Sequence, residues 1–302
     1  MLNKTANYLK YIISIFIYEI IILMFFRILF FIIFYKSSNN IVFTDILYAF
    51  FNRGLLYDIY VSSYIVVIPY IILTMVFMLN GSYSFFNKVL KVYILFLTLI
   101  CILICSANIP YYHYLHNYIS KDIFSWGMGF DVMRVIISNP MYIIFFIIFC
   151  LISLFSYKVI TRIGDKYLTD KENMRYNFFL KVVIFLFSSF LLLNGLRGNY
   201  RFDKSPLTGE DIFFSKNVFL NHLGYNPVFS FFDSYVKEDV RILSDDEAII
   251  KAYKFFNIKD NKNKHYVRRD IKNVGMPLMK NIIIIMIESL TKSKMSYYCY
   301  KY

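Results

Sequence analysis

A carboxylate and a hydroxyl end the last apolar run of this chain. The run "NIIIIMIESL" covers residues 281–290 and places Glu288 and Ser289 after six apolar residues. An isoleucine run without alternation is typical of a strand buried on both faces, and ligands gather at the carboxyl ends of strands in open α/β sheets. A carboxylate at that point is a suitable ligand for a divalent cation. The alternative is a helix cap, in which Ser289 or Thr291 begins a helix whose dipole favours Glu288.

Two ionisable residues, Glu19 and Arg27, interrupt the first long apolar stretch. Charged groups inside a membrane span are costly, so both residues mark candidate functional positions. Eight residues at about 1.5 Å rise separate them by about 12 Å along a helix, which is too far for a direct ion pair. Each is therefore expected either to pair with a group on another helix or to meet a lipid headgroup. We name Arg27 as a headgroup candidate.

Three further ionisable residues lie at the ends of apolar stretches. Asp58 belongs to "RGLLYDIYVSSYIVVIP", and His113 and His116 belong to "NIPYYHYLHNYISKD". With a cytoplasmic N-terminus, all three would lie near the outer membrane surface, where they are candidate contacts for a lipid headgroup. The two histidines could also share a helical face and bind a metal ion. The surrounding tyrosines instead favour interfacial anchoring in an aromatic belt.

The composition is that of a polytopic membrane protein. Of the 302 residues, 58% are hydrophobic and 21% aromatic, which is more than soluble domains carry. Five stretches approach the ~20 apolar residues that a membrane-spanning helix needs. They cover residues 11–35, 59–79, 89–107, 141–157 and 178–193. The first is expected to stay as an anchor, because its apolar core is too long for a signal peptide and no small-residue cleavage site follows it.

Positive charges are distributed unevenly between the loops, which predicts the orientation. One side of the membrane would hold Lys4, Lys10, Lys88, Lys91, Lys158, Arg162, Lys166, Lys171, Arg175 and Lys181, and the other Lys36, Arg53, Lys121 and Arg134. We therefore expect a multi-pass protein of the cell membrane with a cytoplasmic N-terminus, and everything after the fifth span outside. The net charge of +13 comes largely from these loops. No basic-aromatic binding module is visible in the sequence, so we expect no nucleic-acid partner.

The fifth stretch is followed by a change of composition. The segment "LRGNYRFDKSPLTGEDIFFSKNVFLNHLGYNPVFSFFDSYVKED" predicts short amphipathic helices on the bilayer surface, with Phe219, Phe229 and Phe232 among their apolar residues. Rising charge density then indicates a solvated linker. The predicted domains are a five-helix transmembrane domain (1–196), an extracytoplasmic connector and linker (197–280) and the truncated start of an α/β domain (281–302).

Four pieces of the sequence resemble one family. They are "GLLYDIYVSSYIVVIP", "ANIPYYHY", "RGNYRFDKSPLTGEDIFFSKNVFLNHLGYNP" and "NIIIIMIESL". The chain resembles the lipoteichoic acid synthase and phosphoglycerol transferase family, in which a domain of the sulfatase and alkaline phosphatase superfamily follows about five membrane spans. The resemblance is specific in the last two pieces and loose in the membrane part, where Asn108 stands at a position that is often Asp.

The resemblance implies a metal-dependent exchange of phosphoryl groups outside the membrane. A threonine activated by manganese, zinc or magnesium attacks a phosphatidylglycerol-like lipid, diacylglycerol leaves, and glycerol phosphate passes to an acceptor. Glu288 is then the first metal ligand. The family's nucleophilic threonine and its other ligands would lie downstream of the first strand, and the chain ends at Tyr302. We therefore expect an inactive N-terminal portion that holds no metal by itself.

Two alternative interpretations stay open. The first keeps the superfamily and changes the substrate, to a phosphoethanolamine transferase or a sulfatase-like hydrolase. The second is a non-enzymatic membrane protein, such as a transporter subunit or a scaffold, with Glu19 and Arg27 as its polar core. The odd number of spans, the lack of an internal repeat and the two extramembrane sequence pieces weigh against this second alternative. Nothing in the sequence indicates an oligomeric state.

Overall fold

A computed structural model describes residues 7–35, 41–124, 138–168, 177–199, 205–236 and 243–255. The chain divides into two compact units, Met1–Glu238 and Asp239–Tyr302. All regular elements of the described residues are helices. The predicted strand that presents Glu288, and with it the α/β domain, lies outside the described residues.

Five helices are long and apolar enough to cross a membrane, which confirms the predicted membrane part. The helices are α1 (Asn7–Phe34), α2 (Phe43–Leu47), α3 (Leu55–Met78), α4 (Ser84–Leu115), α5 (Pro140–Tyr167) and α6 (Phe178–Arg197). A π-helical turn, Tyr48–Gly54, joins α2 to α3 without a break, so that one 36-residue helix spans Phe43–Met78. Each predicted stretch falls on one of these helices, and several helices run beyond it because backbone hydrogen bonding continues into the polar flanks. The orientation across the membrane stays a prediction.

Helix α1 lies at the centre of the bundle, in contact with α3, α4 and α5. Its buried side chains recur every three or four residues, as one face of a helix requires. They include Tyr8, Tyr11, Ile15, Tyr18, Ile22, Phe26 and Phe30. Helix α4 packs most extensively against α5, and α3 packs against α6. The core of the bundle therefore runs along α1.

The two buried residues of helix α6, Lys181 and Gly195, both meet α3, the first through hydrogen bonds and the second through a close approach. Near the start of α6, the ammonium of Lys181 donates to the carbonyl of Phe77 at 2.9 Å and to Asn80 Oδ1 at 2.6 Å. It thereby caps the C-terminal end of α3. Near the end of α6, Gly195 lies so close to Ser63 of α3 that a Cβ at position 195 would overlap the Ser63 hydroxyl.

A short helical connector follows α6. Its described elements are the 3-10 helix Gly209–Ile212, α7 (Val218–Leu223) and α8 (Pro227–Val236). Asn217 caps α7 by accepting a hydrogen bond from the backbone of Phe219 at 2.9 Å. The connector packs where α1 and α4 end and where α3 begins. In the second unit, the structure describes one helix, α9 (Asp245–Phe255).

Two of the connector's aromatic side chains pack against the helix bundle, whereas the sequence predicted that they lie on the bilayer surface. The short helices are as predicted, but Phe219 and Phe229 are buried. The Phe219 ring stacks on Phe30 of α1 at 5.9 Å between centroids, and the Phe229 ring meets Tyr57 of α3 at 4.9 Å. Phe232 keeps 54% of its surface exposed. An amphipathic pattern does not distinguish a helix that lies on lipid from one that lies on other helices, because both bury an apolar face.

Candidate functional site

A buried ion pair, Arg27 with Asp58, lies where α1, α3 and the connector meet. The two side chains are 4% and 0% exposed. Arg27 Nη2 lies 2.6 Å from Asp58 Oδ1, and Nε lies 3.4 Å from Oδ2. The guanidinium therefore meets both carboxylate oxygens, which is the strongest geometry for such a pair. Of the two alternatives expected for Arg27 from the sequence, the structure shows pairing with a group on another helix. The partner, Asp58, is itself one of the candidate residues.

The remaining N–H groups of Arg27 are used by backbone carbonyls. Nη1 donates to the carbonyl oxygens of Leu223 and Tyr225, the latter at 2.8 Å, and Nη2 donates to Gly54 at 3.0 Å. With the two bonds to Asp58, all five N–H groups of the guanidinium have an acceptor. Arg27 therefore ties a membrane helix to the connector and to the π-helical turn.

Asn226 completes this cluster from the connector side. Its Nδ2 donates to Asp58 Oδ1 at 2.7 Å, and its Oδ1 accepts from the backbone of Val228 at 2.8 Å and of Phe229 at 3.2 Å. One side chain thus contacts the buried carboxylate and caps helix α8. We call the six residues Arg27, Asp58, Gly54, Leu223, Tyr225 and Asn226 the Arg27 centre.

The close approach of Arg27 to the π-helical turn requires glycine at position 54. A Cβ added there would lie 2.6 Å from Arg27 Cζ. The guanidinium has little room to move away, because the Asp58 carboxylate and three backbone carbonyls hold all of its N–H groups. Any larger side chain at this position would displace the ion pair.

A ring of polar and aromatic side chains borders the Arg27 centre. Asn108 Oδ1 accepts from the backbone of Ile119 at 3.0 Å, and the Tyr118 hydroxyl donates to the carbonyl of His222 at 2.6 Å. The His222 ring lies 5.1 Å from that of Tyr112 and 5.0 Å from that of Tyr118. Burial lowers the pKa of His222 to about 4. Among the described residues, its Nδ1 has no hydrogen-bond partner. His222 is therefore held neutral at the edge of the centre.

A second buried carboxyl, that of Glu19, lies on α1 away from the connector. Glu19 is fully buried. Its Oε1 lies 2.5 Å from Oγ1 of Thr98 on α4, and its Oε2 has no hydrogen-bond partner within the described ranges. Next to it, the Tyr18 hydroxyl donates to Ser156 of α5 at 2.8 Å. Glu19 therefore pairs with a group on another helix, which is one of the two alternatives expected from the sequence. The group is a hydroxyl and not a cation.

The two histidine candidates lie apart from this buried chemistry. His113 is in the last turn of α4, and His116 caps that helix in the left-handed conformation with φ of 52°. Both are exposed. The part of the chain that the structure describes has no group of three or more His, Cys, Asp or Glu residues placed to hold a metal ion. Interfacial anchoring and metal binding by this pair both stay predictions.

The structure brings together two of the candidates, Arg27 and Asp58, and leaves His113 and His116 at the surface. A headgroup role for these four residues stays a prediction, as does metal binding by Glu288, which lies outside the described residues. Sequence reasoning missed Asn226 and Thr98. The "NP" pair at Asn226 signals the start of a helix, but no local pattern names its distant partner.

Comparisons of this chain with protein-family models, with curated proteins and with solved structures find no match. Function is therefore inferred from the residues, their geometry and the resemblance that the four sequence pieces carry.

Proposed function

We propose that this chain is the membrane-anchored N-terminal part of a metal-dependent phosphoglycerol transferase of the cell envelope. Its helices hold the connector, and a catalytic segment begins near residue 281. The donor is a phosphatidylglycerol-like lipid. The described residues do the anchoring and positioning in this scheme, and the reaction belongs to the segment that follows them.

The observation that carries the proposal is the meeting of three separate sequence pieces at one place. Asp58 comes from "GLLYDIYVSSYIVVIP", Asn108 from "ANIPYYHY", and Asn226 from the connector piece. These pieces are far apart in the chain. Asp58 and Asn226 are bonded directly, and Asn108 lines a small cavity beside Arg27. Pieces that carry a family resemblance are expected to converge where that family's architecture depends on them.

The contacts at the Arg27 centre explain how the connector would be positioned. Arg27 and Asp58 sit on membrane helices, and both reach connector groups, the carbonyls of Leu223 and Tyr225 and the amide of Asn226. A buried charge that loses such partners costs several kcal/mol, on the order of 3 to 5. We therefore expect the connector to stay docked on the helices that carry Arg27 and Asp58.

The metal that the resemblance implies is assigned to the catalytic segment. When bound, such an ion activates the nucleophile and neutralises charge on the phosphoryl oxygens. Glu288 is its proposed first ligand. Among the described residues no group of three or more His, Cys, Asp or Glu is placed to hold a metal ion.

The test is diacylglycerol release from a fluorescent phosphatidylglycerol in the presence of manganese. The protein would be expressed together with the coding sequence that follows codon 302. We expect turnover, and we expect Glu288→Ala to remove most of it, since the loss of one ligand leaves the cation under-coordinated. Glu247→Ala, which changes an exposed carboxylate on α9, is the matched control. We expect the 302-residue chain alone to release no diacylglycerol.

Three results would count against the proposal. Normal turnover by Glu288→Ala would remove the ligand assignment. Release of diacylglycerol by the 302-residue chain at the rate of the longer form would place the chemistry in residues that this proposal gives only an anchoring role. A following sequence that encodes no threonine nucleophile and no further Asp and His ligands would favour the non-enzymatic alternative.

A further inference from the structure

We propose that Glu19 binds a proton at neutral pH and donates it to Thr98, so that α1, α4 and α5 meet around an uncharged carboxylic acid. The site is a proton-binding site inside the membrane part, formed by Glu19 and Thr98. It is independent of the proposed transferase function and of the Arg27 centre.

The first argument counts protons on the Thr98 hydroxyl. Thr98 Oγ1 lies 2.8 Å from the carbonyl oxygen of Ile94 and 2.5 Å from Glu19 Oε1. A carbonyl oxygen only accepts hydrogen bonds, and a hydroxyl has a single proton to donate. If Glu19 were ionised, two acceptors would compete for that one proton at hydrogen-bonding distance. A proton on Glu19 removes the conflict, because Glu19 then donates to Thr98 and Thr98 donates to Ile94.

The neighbouring contact between α1 and α5 shows the same series of hydrogen bonds with every proton accounted for. The Tyr18 hydroxyl donates to Ser156 Oγ at 2.8 Å, and Ser156 donates to the carbonyl of Ile152 at 2.7 Å. In each case a hydroxyl on a partner helix donates to the carbonyl four residues before it and lies within hydrogen-bonding distance of a side chain on α1. Tyr18 supplies the proton of this contact with α1 in one case. Glu19 occupies the matching position in the other, and it can supply a proton only as the acid.

The second argument concerns charge. Glu19 is fully buried, and its Oε2 has no hydrogen-bond partner among the described residues. An ionised carboxylate with a bare oxygen in an apolar interior is far more costly than a neutral acid. The described cations of α1 are Lys10 and Arg27, which lie nine and eight residues away, more than about 10 Å along the axis. Arg27 is already bonded to Asp58.

The helices that pack against α1 bring no cation to Glu19. On α3 the charged residue is Asp58, which pairs with Arg27. On α4 the nearest cation, Lys91, pairs with Asp165 at 2.5 Å. On α5 the nearest cation, Lys158, is exposed. The titratable groups beside Glu19 are Tyr18 and the buried thiol of Cys101, which interact with it electrostatically. Neither is a positive charge, so the neutral acid is the favoured form.

Infrared spectroscopy of the detergent-purified full chain tests the proposal, because a protonated carboxyl and a carboxylate absorb at different frequencies. We expect the spectrum of the wild type minus that of Glu19→Gln, taken at neutral pH, to show the carbonyl band of one carboxylic acid. Glu247→Gln is the matched control, since Glu247 is exposed. Its difference spectrum should show carboxylate bands. Carboxylate bands in the Glu19→Gln difference would overturn the proposal.

A second variant covers the case in which Glu19→Gln does not fold. Thr98→Val keeps the shape of residue 98 and removes the acceptor of the proposed hydrogen bond. The Glu19 carboxylic acid band should then shift to higher frequency, as expected for a carbonyl whose O–H has lost its acceptor. A spectrum of Thr98→Val identical to that of the wild type throughout the carboxylic acid region would contradict the assignment.

Discussion

Two carboxyl groups are buried among the described residues of the membrane part, and they are accommodated in opposite ways. Asp58 is ion-paired, hydrogen-bonded to a connector amide and joined to an arginine whose five N–H groups all have acceptors. Glu19 meets one threonine hydroxyl and, within the part of the chain that the structure describes, no cation. The first site holds charge because many partners surround it, and the second avoids charge by keeping a proton. Burial alone therefore does not determine the state of a membrane carboxyl, since the partners decide it.

The partners also determine what each site can do. The Arg27 centre links elements that are far apart in the sequence, because Arg27 and Asp58 both reach the connector. The Glu19 site links membrane helices only. Loss of the first should release the connector, whereas a neutral substitute for the second should leave the helices in place.

The largest effect is expected from Asp58→Asn. This substitution leaves the Arg27 guanidinium buried without its counter-charge, which costs about 3 to 5 kcal/mol. The measurement is thermal stability of the detergent-purified chain by size-exclusion chromatography after heating. The matched control is Asp165→Asn at the Lys91 pair, where Asp165 is 62% exposed and the expected loss is at most about 1 kcal/mol. Equal losses in the two variants would break the comparison.

Acidification should weaken the docking of the connector at the Arg27 centre, because His222 at its edge becomes protonated. Its pKa is about 4 in the folded protein, against 6.5 for the free side chain. Between these two pH values the undocked connector therefore binds more protons than the docked one. The free energy of docking should weaken as the pH falls from about 6.5 to about 4, by on the order of 3 kcal/mol. Protease cleavage of the connector as a function of pH measures this.

His222→Phe is the informative variant, because it keeps a ring between Tyr112 and Tyr118 and cannot be protonated. Its connector should lose the part of the pH dependence that falls between those two pH values. His113→Ala, at an exposed position, should keep the wild-type profile. Cleavage of the wild-type connector that stays constant over this range would show that His222 does not titrate during undocking.

A smaller loss, about 2 kcal/mol, is expected from Gly54→Ala, since the added Cβ collides with a guanidinium held from several sides. Gly164→Ala is the control. Its Cβ would overlap two side-chain ends, Lys91 Cε and Asn87 Oδ1, but the Lys91 side chain is partly exposed and both ends can move aside. Alanine also favours the helix over glycine by up to about 1 kcal/mol. A Gly164→Ala variant less stable than Gly54→Ala would show that the Arg27 centre is less rigid than described.

The smallest effect is expected from Glu19→Gln, below about 1 kcal/mol. The amide of Gln can donate to Thr98 as the carboxylic acid does and carries no charge. The same heating measurement compares it with Asp58→Asn. A loss as large as that of Asp58→Asn would indicate that Glu19 is ionised and that its charge stabilises the bundle, which would remove the contrast between the two sites.

The sequence predicted the membrane helices well because apolar length is a local property. Each predicted stretch overlaps one observed helix, and the ends differ where polar residues continue the helix. The site was only partly predictable. The cost of a charge in a membrane marked Arg27 and Glu19, but their partners Asp58 and Thr98 depend on which helices are neighbours, and that is a tertiary property. The same holds for Asn226, which hydrogen-bonds Asp58. The carbonyls of Leu223 and Tyr225 have no sequence signal at all, since every residue has one.

Most side chains of helix α6 are exposed or half-buried, yet it meets α3 at several points along its length, at Lys181 near its start, at Ser188 and Ser189 in its middle and at Gly195 near its end. A helix attached at one end could slide along its axis when the bilayer becomes thicker or thinner. Sliding of α6 would separate the Lys181 ammonium from the carbonyl of Phe77 and would move Gly195 away from Ser63. The hydrophobic length of this edge of the bundle is therefore fixed by the protein, and membranes of different thickness have to adjust their lipids around it.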